Sequence, residues 1–326
     1  MSSAGARYSM AVVSVGGEES LMNAFITAAE VWALDDSGRY LTLKSSHYSG
    51  HTAKRSEDFH SVSQAMRFAI GEGLPGETWV QRRPLIWTDL TAPHFLRREL
   101  AEIAGLACGL SIPVYAGEFL LAVVVLFFAA PNRISGAVEV WQNRDYYDSE
   151  LRMVDGYYGG LERFEYISRA LTIMRGRGLP GRAWSESSPI IMTNLASSDG
   201  FIRSRNAAEC GMTTGLAIPF FNTGRDVQVV TFLSTEHTPA ANCFEVWRPD
   251  ESHRYMLFDR GYCAAGTDLK TLYRGKAYDR GESSMGQVWL TGRPLVEKVD
   301  EPDGEACLYL PFIVDGLLKA VVKLVF

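Results

Sequence analysis

Gly71-Glu72-Gly73-Leu74-Pro75-Gly76-Glu77-Thr78-Trp79 returns 105 residues later as Gly176-Arg177-Gly178-Leu179-Pro180-Gly181-Arg182-Ala183-Trp184. A fixed internal period marks duplicated structural units and has to be settled before any local reading. Pro84 and Pro189 keep the offset, as do Thr88 and Thr193, and Leu90 and Leu195. One more step reaches Gly281, Gly286, Trp289 and Pro294, with Ser283-Ser284-Met285-Gly286 where the other copies have Gly-Leu-Pro-Gly. Upstream, Glu30-Val31-Trp32, Glu139-Val140-Trp141 and Glu245-Val246-Trp247 open the three copies. Downstream, Phe95-Leu96-Arg97, Ala101, Gly105 and Gly109-Leu110-Ser111-Ile112-Pro113 match Phe201-Ile202-Arg203, Ala207, Gly211 and Gly215-Leu216-Ala217-Ile218-Pro219. Six of the seven tryptophans fall at equivalent positions, so duplication and not chance explains the pattern.

The copies are unequal. Pro113 and Pro219 are 106 residues apart, but Pro219 and Pro311 only 92. The third copy therefore lacks about fourteen residues, taken from the helical stretch that carries Phe95/Arg97 and Phe201/Arg203 in the others. The units are expected at 28–129, 137–234 and 243–326, after an extension, 1–27, with a strand-like Met10–Val15.

The 326 residues are 47% hydrophobic and 21% charged, an ordinary globular composition. The net charge is −6 and the basic residues are scattered, which argues against a nucleic-acid partner, since a phosphate backbone requires a concentrated positive surface. The longest apolar run, Phe119–Ala130, is too short to cross a bilayer as a helix and reads as a buried strand. No signal peptide is evident in the first residues, so the expectation is a cytoplasmic protein without a membrane partner. The five cysteines form no CxxC pair and are expected to be reduced thiols.

Copy two shows the order of elements. Ala137–Trp141 and Glu150–Tyr157 read as strands, and Phe164, Ile167, Leu171 and Met174 have the spacing of an amphipathic helix. Gly176 and Gly178 are expected to end that helix, with Leu-Pro-Gly as a turn into a strand at Ile190–Met192. A second helix is expected over Phe201–Cys210, capped by Ser198 or Asp199, and a hairpin over Thr214–Leu233 turning at Asn222–Arg225. The sum is an α+β fold: in each copy a central antiparallel sheet with flanking helices. The joints at Ala129–Gly136 and Ser234–Asn242 are short, which suggests strands shared between copies and one rigid body.

The Val-Trp strand, the GxGLPGxxW stretch and the A-x3-G-[LM]-x2-GL-x-IP segment with its hairpin together resemble the GAF domain. The resemblance implies a pocket between the sheet and the distal helices, and work as a sensor, a dimerisation module or both. The further expectations are a small organic ligand, a homodimer and, because no output domain is seen in the sequence, a separate protein that carries the output. It names no cofactor. The cyclic-nucleotide signature and the Cys-His of bilin-attaching members are absent. On this comparison the segment with Phe95 and Arg97, or Phe201 and Arg203, lies over the pocket, where an arginine can pair with a carboxylate or phosphate. Tyr48, Tyr157 and Tyr158 are candidates to donate hydroxyls, and Phe164 completes copy two as the preferred ligand-bearing copy. The third copy lacks the helix, which argues against a pocket there.

Each candidate has a structural alternative. The glycine-rich stretches lack the spacing of a phosphate loop, GxxxxGK[ST]. The repeated tryptophans are above all core material, and an arginine on a helix surface is often merely solvated. Of the six histidines only His47 and His51 have an HxxxH spacing and none an HExxH, so a metal site is unsupported. A nucleophile with its base cannot be assembled, and the expectation is a protein that is not an enzyme. Three readings stand: a non-catalytic sensor acting through a partner, a scaffold without a ligand, and a thiol-based redox protein resembling the GAF-fold methionine sulfoxide reductases.

Overall fold

The computed structural model describes residues 25–48, 57–130, 135–145, 147–221, 226–298 and 306–326. The strand-like Met10–Val15 and the turn at Asn222–Arg225 lie outside them. The first repeat contributes β1 (Ile26–Leu34), β2 (Tyr40–Tyr48), β3 (Arg67–Ala69), β4 (Leu85–Trp87), β5 (Leu106–Ala116) and β6 (Phe119–Ala129). The second contributes β7 (Ser135–Gln142), β8 (Glu150–Gly159), β9 (Thr172–Met174), β10 (Ile190–Thr193), β11 (Met212–Phe221) and β12 (Val227–Thr235). The third contributes β13 (Cys243–Pro249), β14 (Tyr255–Cys263), β15 (Ala277–Asp279), β16 (Leu295–Lys298), β17 (Ala306–Val314) and β18 (Leu317–Val325). Each set forms one antiparallel sheet, and the strand order is the same three times: β3-β2-β1-β6-β5-β4, then β9-β8-β7-β12-β11-β10, then β15-β14-β13-β18-β17-β16. The expected antiparallel sheets are present, but among the described residues no strand is shared between repeats.

Helices lie between the strands: α1 (Glu57–Ala65), α2 (Gly73–Gln81) and α3 (Arg98–Ala104) in repeat 1. In repeat 2 they are α4 (Glu162–Ala170), α5 (Gly178–Glu186) and α6 (Ser204–Glu209), and in repeat 3 α7 (Leu269–Leu272) and α8 (Ser283–Thr291). The Gly-Leu-Pro-Gly stretch therefore opens a helix instead of closing one. Proline is tolerated there because the first turn needs no backbone N–H from it. The last glycine is fixed by close approach: a Cβ on Gly76, Gly181 or Gly286 would sit 2.2 Å from the carbonyl oxygen of Ala69, Met174 or Asp279. The helix expected over Phe164–Met174 stops at Ala170, because Thr172–Met174 pairs with β8 as an edge strand. The second helix of repeat 2 starts later than expected, at Ser204, and has no side-chain cap.

Both faces of each sheet are buried along its central strands. On β6, Leu120, Val123, Val125 and Phe127 face the helices, while Ala122, Val124, Leu126 and Phe128 join a core common to all three repeats. Two covered faces explain the unbroken apolar run at Phe119–Ala130. The common core takes Val138, Val140, Leu216, Val230 and Phe232 from repeat 2 and Val246, Leu308, Leu310, Val322 and Leu324 from repeat 3. The three sheets stand back to back around it, with the helices outside. The seams follow one rule: β4 meets β8, β10 meets β14, and β16 returns to β2. Each seam has a polar contact. Arg83 Nη1 donates to Gln142 Oε1 at 3.3 Å, Arg248 donates to Ser188 Oγ, and Val296 N donates to Ser45 Oγ at 3.0 Å. The repeats thus close into a pseudo-threefold ring, joined among the described residues by packing and these hydrogen bonds and not by exchanged strands.

Candidate ligand site

The helix-facing side of each sheet is organised by the glutamate that precedes the Val-Trp pair. Glu30 is fully buried and accepts hydrogen bonds from Trp32 Nε1 at 2.9 Å and Tyr48 Oη at 2.6 Å. Arg97 clamps it with Nη1 at 2.7 Å and Nη2 at 3.2 Å, and also donates to Ser63 Oγ. The guanidinium carbon lies 4.3 Å from the Phe59 ring centroid. Repeat 2 rebuilds the same arrangement on Glu139. Trp141 and Tyr158 donate at 2.8 Å each, Thr231 Oγ1 at 2.9 Å, and Arg203 clamps both carboxylate oxygens while reaching Ser168. Burial pushes the Glu139 carboxyl up, but the Arg203 guanidinium and the donors around it outweigh that and hold it below its ordinary value.

Repeat 3 has no arginine-bearing helix among its described residues. Its Glu245 accepts from Trp247 at 2.7 Å, from Tyr273 at 2.9 Å and from Lys323 Nζ at 3.2 Å. Lys323 lies directly across the strand pair from Glu245, where Val125 faces Glu30 and Thr231 faces Glu139. A cation from the sheet thus stands in for one from the missing helix. The neighbouring Glu245 keeps the Lys323 ammonium above its ordinary value against the opposing effect of burial.

The residues singled out from sequence sit as follows. Phe95 and Arg97 in repeat 1, and Tyr158, Phe164, Phe201 and Arg203 in repeat 2, come together on the helix-facing side and are all buried. Their polar groups bond one another, with Arg203 only 2% exposed. Tyr157 is not brought to this cluster. It faces the common core, where it stacks on Phe25 and donates to Ala129 O at 2.6 Å. The expectation of five reduced thiols fails for one pair: Cys243 and Cys263 stand directly opposite on β13 and β14, with Cα atoms 4.1 Å apart, and form a disulfide. Hairpin register, not local spacing, brings them together.

An open cleft of about 290 Å³ lies on the helix-facing side of repeat 3, lined by Tyr278, Ser283, Ser284, Met285, Gln287, Glu297 and Tyr309. Sequence reasoning missed these residues, although the signal was present in the departures of the third copy. Ser284 occupies the position of Leu74 and Leu179, and Glu297 that of Trp87 and Met192. Tyr278 replaces Phe68 and Ile173, and Tyr309 replaces Ser111 and Ala217. Three positions that are apolar in repeats 1 and 2, those of Tyr278, Ser284 and Glu297, have thus turned polar around one cleft, while Gln287 takes the place of the charged Glu77 and Arg182. Ser283 keeps the left-handed backbone of Gly73 and Gly178, at φ 57°, a conformation disfavoured for a residue with a side chain. Burial raises the Tyr278 hydroxyl to about 12, so it stays protonated and able to donate. A second, wider cleft of about 410 Å³, lined by residues from Phe258 to Lys270, includes Cys263. Among the described residues no group of three His, Cys, Asp or Glu is placed to hold a metal, and no helix is long and apolar enough to cross a membrane.

Residues 18–154 match the family model of the GAF domain. The three sheets of one topology fit three tandem GAF-like repeats. Among solved structures it is similar to the GAF domain of a phosphoenolpyruvate-protein phosphotransferase from Coxiella burnetii, at 19% identity and a TM-score of 0.26 over 32% of this chain and 57% of that one. It is similar to a GAF domain/HD domain protein from Geobacter sulfurreducens, at 19% identity and 0.26, over 32% and 63%. A free methionine-R-sulfoxide reductase from Neisseria meningitidis, in complex with its substrate, is similar at 20% identity and 0.24, over 32% and 54%. The chain spans less than two thirds of each of these chains. No curated protein matches.

Proposed function

We propose that this protein is a non-catalytic, small-molecule-binding regulatory module that acts through a separate protein, with its ligand site in the third repeat. One observation supports the placement. Repeat 3 has a cleft lined by hydroxyl, amide and carboxylate groups, and its Tyr278, Ser284 and Glu297 stand where both sister repeats have apolar side chains, Phe68 and Ile173, Leu74 and Leu179, Trp87 and Met192. Repeats 1 and 2 then serve as the frame. Native mass spectrometry of the purified chain tests this: a small molecule retained at one per chain is expected. The cleft is filled by Ser284→Leu with Cys307→Gly, which recreates the Leu74–Gly109 pairing of repeat 1. Retention of the molecule by that double variant argues for a site elsewhere.

The Cys243–Cys263 pair favours a second reading, a thiol-based redox protein, because Cys263 is half-buried beside an open cleft. Replacement of both cysteines by serine with no change in any oxidant response would remove that reading.

A further inference from the structure

We infer that the repeat 3 cleft takes a small organic amine, its protonated nitrogen held by the Glu297 carboxylate between the side chains of Tyr278 and Tyr309; this rests on the ligand-binding reading of the cleft given above. Glu297 stands where the sister repeats have Trp87 and Met192, so the fold itself does not require a charge there. A carboxylate only accepts hydrogen bonds, and with two oxygens it has several lone-pair directions to fill. Among the described residues Glu297 forms no ion pair, and the hydrogen bond it receives comes from Tyr309 Oη at 3.3 Å. Glu245, nearby on the same sheet, is the contrast. Three donors, one of them Lys323, already hold it, and it offers nothing to a ligand.

The two rings add to the carboxylate, because the face of a tyrosine attracts cations. Tyr278 already does so on one side, with Lys276 Nζ 5.2 Å from its ring centroid. That ammonium repels a second one, which places the ligand's cation at the Glu297 side of the cleft. An anionic ligand would meet an uncompensated carboxylate, a costly contact in a partly desolvated site. Ser283, Ser284 and Gln287 line the remaining wall and suit a polar substituent on the amine. The cleft, about 290 Å³, is near the lower end of ligand-pocket volumes, which limits the molecule to a small one.

Benzylamine, benzyl alcohol and benzoate are probes of one shape and three charges. Titration of the full chain by calorimetry should show saturable binding of benzylamine, weaker binding of benzyl alcohol and none of benzoate. Glu297→Gln should weaken benzylamine about tenfold while leaving benzyl alcohol unchanged, a loss in line with one charge-assisted hydrogen bond. In the wild-type chain the Met285 methyl resonance should shift with benzylamine, a readout that needs no folded variant. Benzoate or benzyl alcohol binding as tightly as benzylamine, with the Met285 shift, would overturn the amine class and leave the cleft as a ligand site. Binding of every probe without any Met285 shift, or undiminished in Ser284→Leu/Cys307→Gly, would overturn the site itself. No saturable binding of benzylamine overturns the inference.

Discussion

Arg203 has the residue type and the repeat position of a ligand clamp, yet its charge is fully engaged by Glu139. A buried pair of this kind adds little net stability over an apolar equivalent, but removing one partner strands the other, at a cost of about 3–5 kcal/mol. Arg203→Met is therefore expected to destabilise the chain by that amount, and Glu139→Gln with Arg203→Met to recover part of it. The pH dependence carries a sign that separates this from a simple packing loss. In the native protein the Glu139 carboxyl is held below its unfolded value, so its stabilisation is present above the ordinary carboxylate range and lost as pH falls through the folded value. In Arg203→Met the same carboxyl is buried without a cation and its folded value rises above the unfolded one. Relative to the native chain, that variant should therefore become less destabilised as pH falls. Urea denaturation at a series of pH values from about 3 to 7 measures both slopes. Equal slopes in the two proteins would show that Arg203 does not govern Glu139.

At the scale of elements, the sequence is informative wherever the repeat itself carries the signal. The Val-Trp strand, the β5 and β11 strands and the closing hairpins lie where their patterns put them, and Glu30, Glu139 and Glu245 are followed by the same bulge between valine and tryptophan three times. What failed depended on contacts between elements. Leu-Pro-Gly looked like a turn because proline and glycine usually interrupt helices, and only the approach of Gly181 to the Met174 carbonyl shows why a helix starts there. Lys323 could not be assigned to Glu245 without the β13–β18 register, nor Cys243 to Cys263 without that of β13 and β14. The cleft was missed for a related reason: Tyr278, Ser284 and Glu297 lie on β15, α8 and β16, and only the fold brings them to one cleft. The Cys243–Cys263 disulfide ties β13 to β14. It closes a loop with a sequence separation of 20, and in the chain-entropy account a loop of this length is stabilised by about 3 kcal/mol. Cys243→Ser/Cys263→Ser should lower the denaturation free energy by roughly that amount. The native chain should lose the same amount when treated with a thiol reductant, and the double variant should not respond to it.

Across the whole molecule, the ring closes where β16 meets β2, and that seam has a titratable group at its centre. His47 lies on β2, is 6% exposed, and stacks on Phe326 with ring centroids 6.1 Å apart. Neither ring nitrogen has a hydrogen-bond partner among the described residues. Burial, with Lys298 adding to it, depresses the imidazole to about 4, so it is neutral in the folded chain at physiological pH. An unfolded histidine takes up a proton near 6.5. Between these two values the unfolded state therefore binds more protons than the folded one, and stability should fall as pH drops from about 6.5 towards 4. This window lies mostly above the one set by Glu139, so the two effects separate on a pH axis. His47→Phe keeps the stack on Phe326, removes the proton site and should flatten the slope in that window while leaving the acid-side loss below it. The architecture decides how the loss appears. Because all three sheets share one core, opening the seam between repeats 3 and 1 exposes apolar surface of every repeat, and the chain should melt in a single transition whose midpoint falls with pH. Calorimetry that resolved a separate repeat 3 transition, moving with pH while the rest stayed fixed, would show that the ring is three independent units in contact and that His47 reports on only one of them.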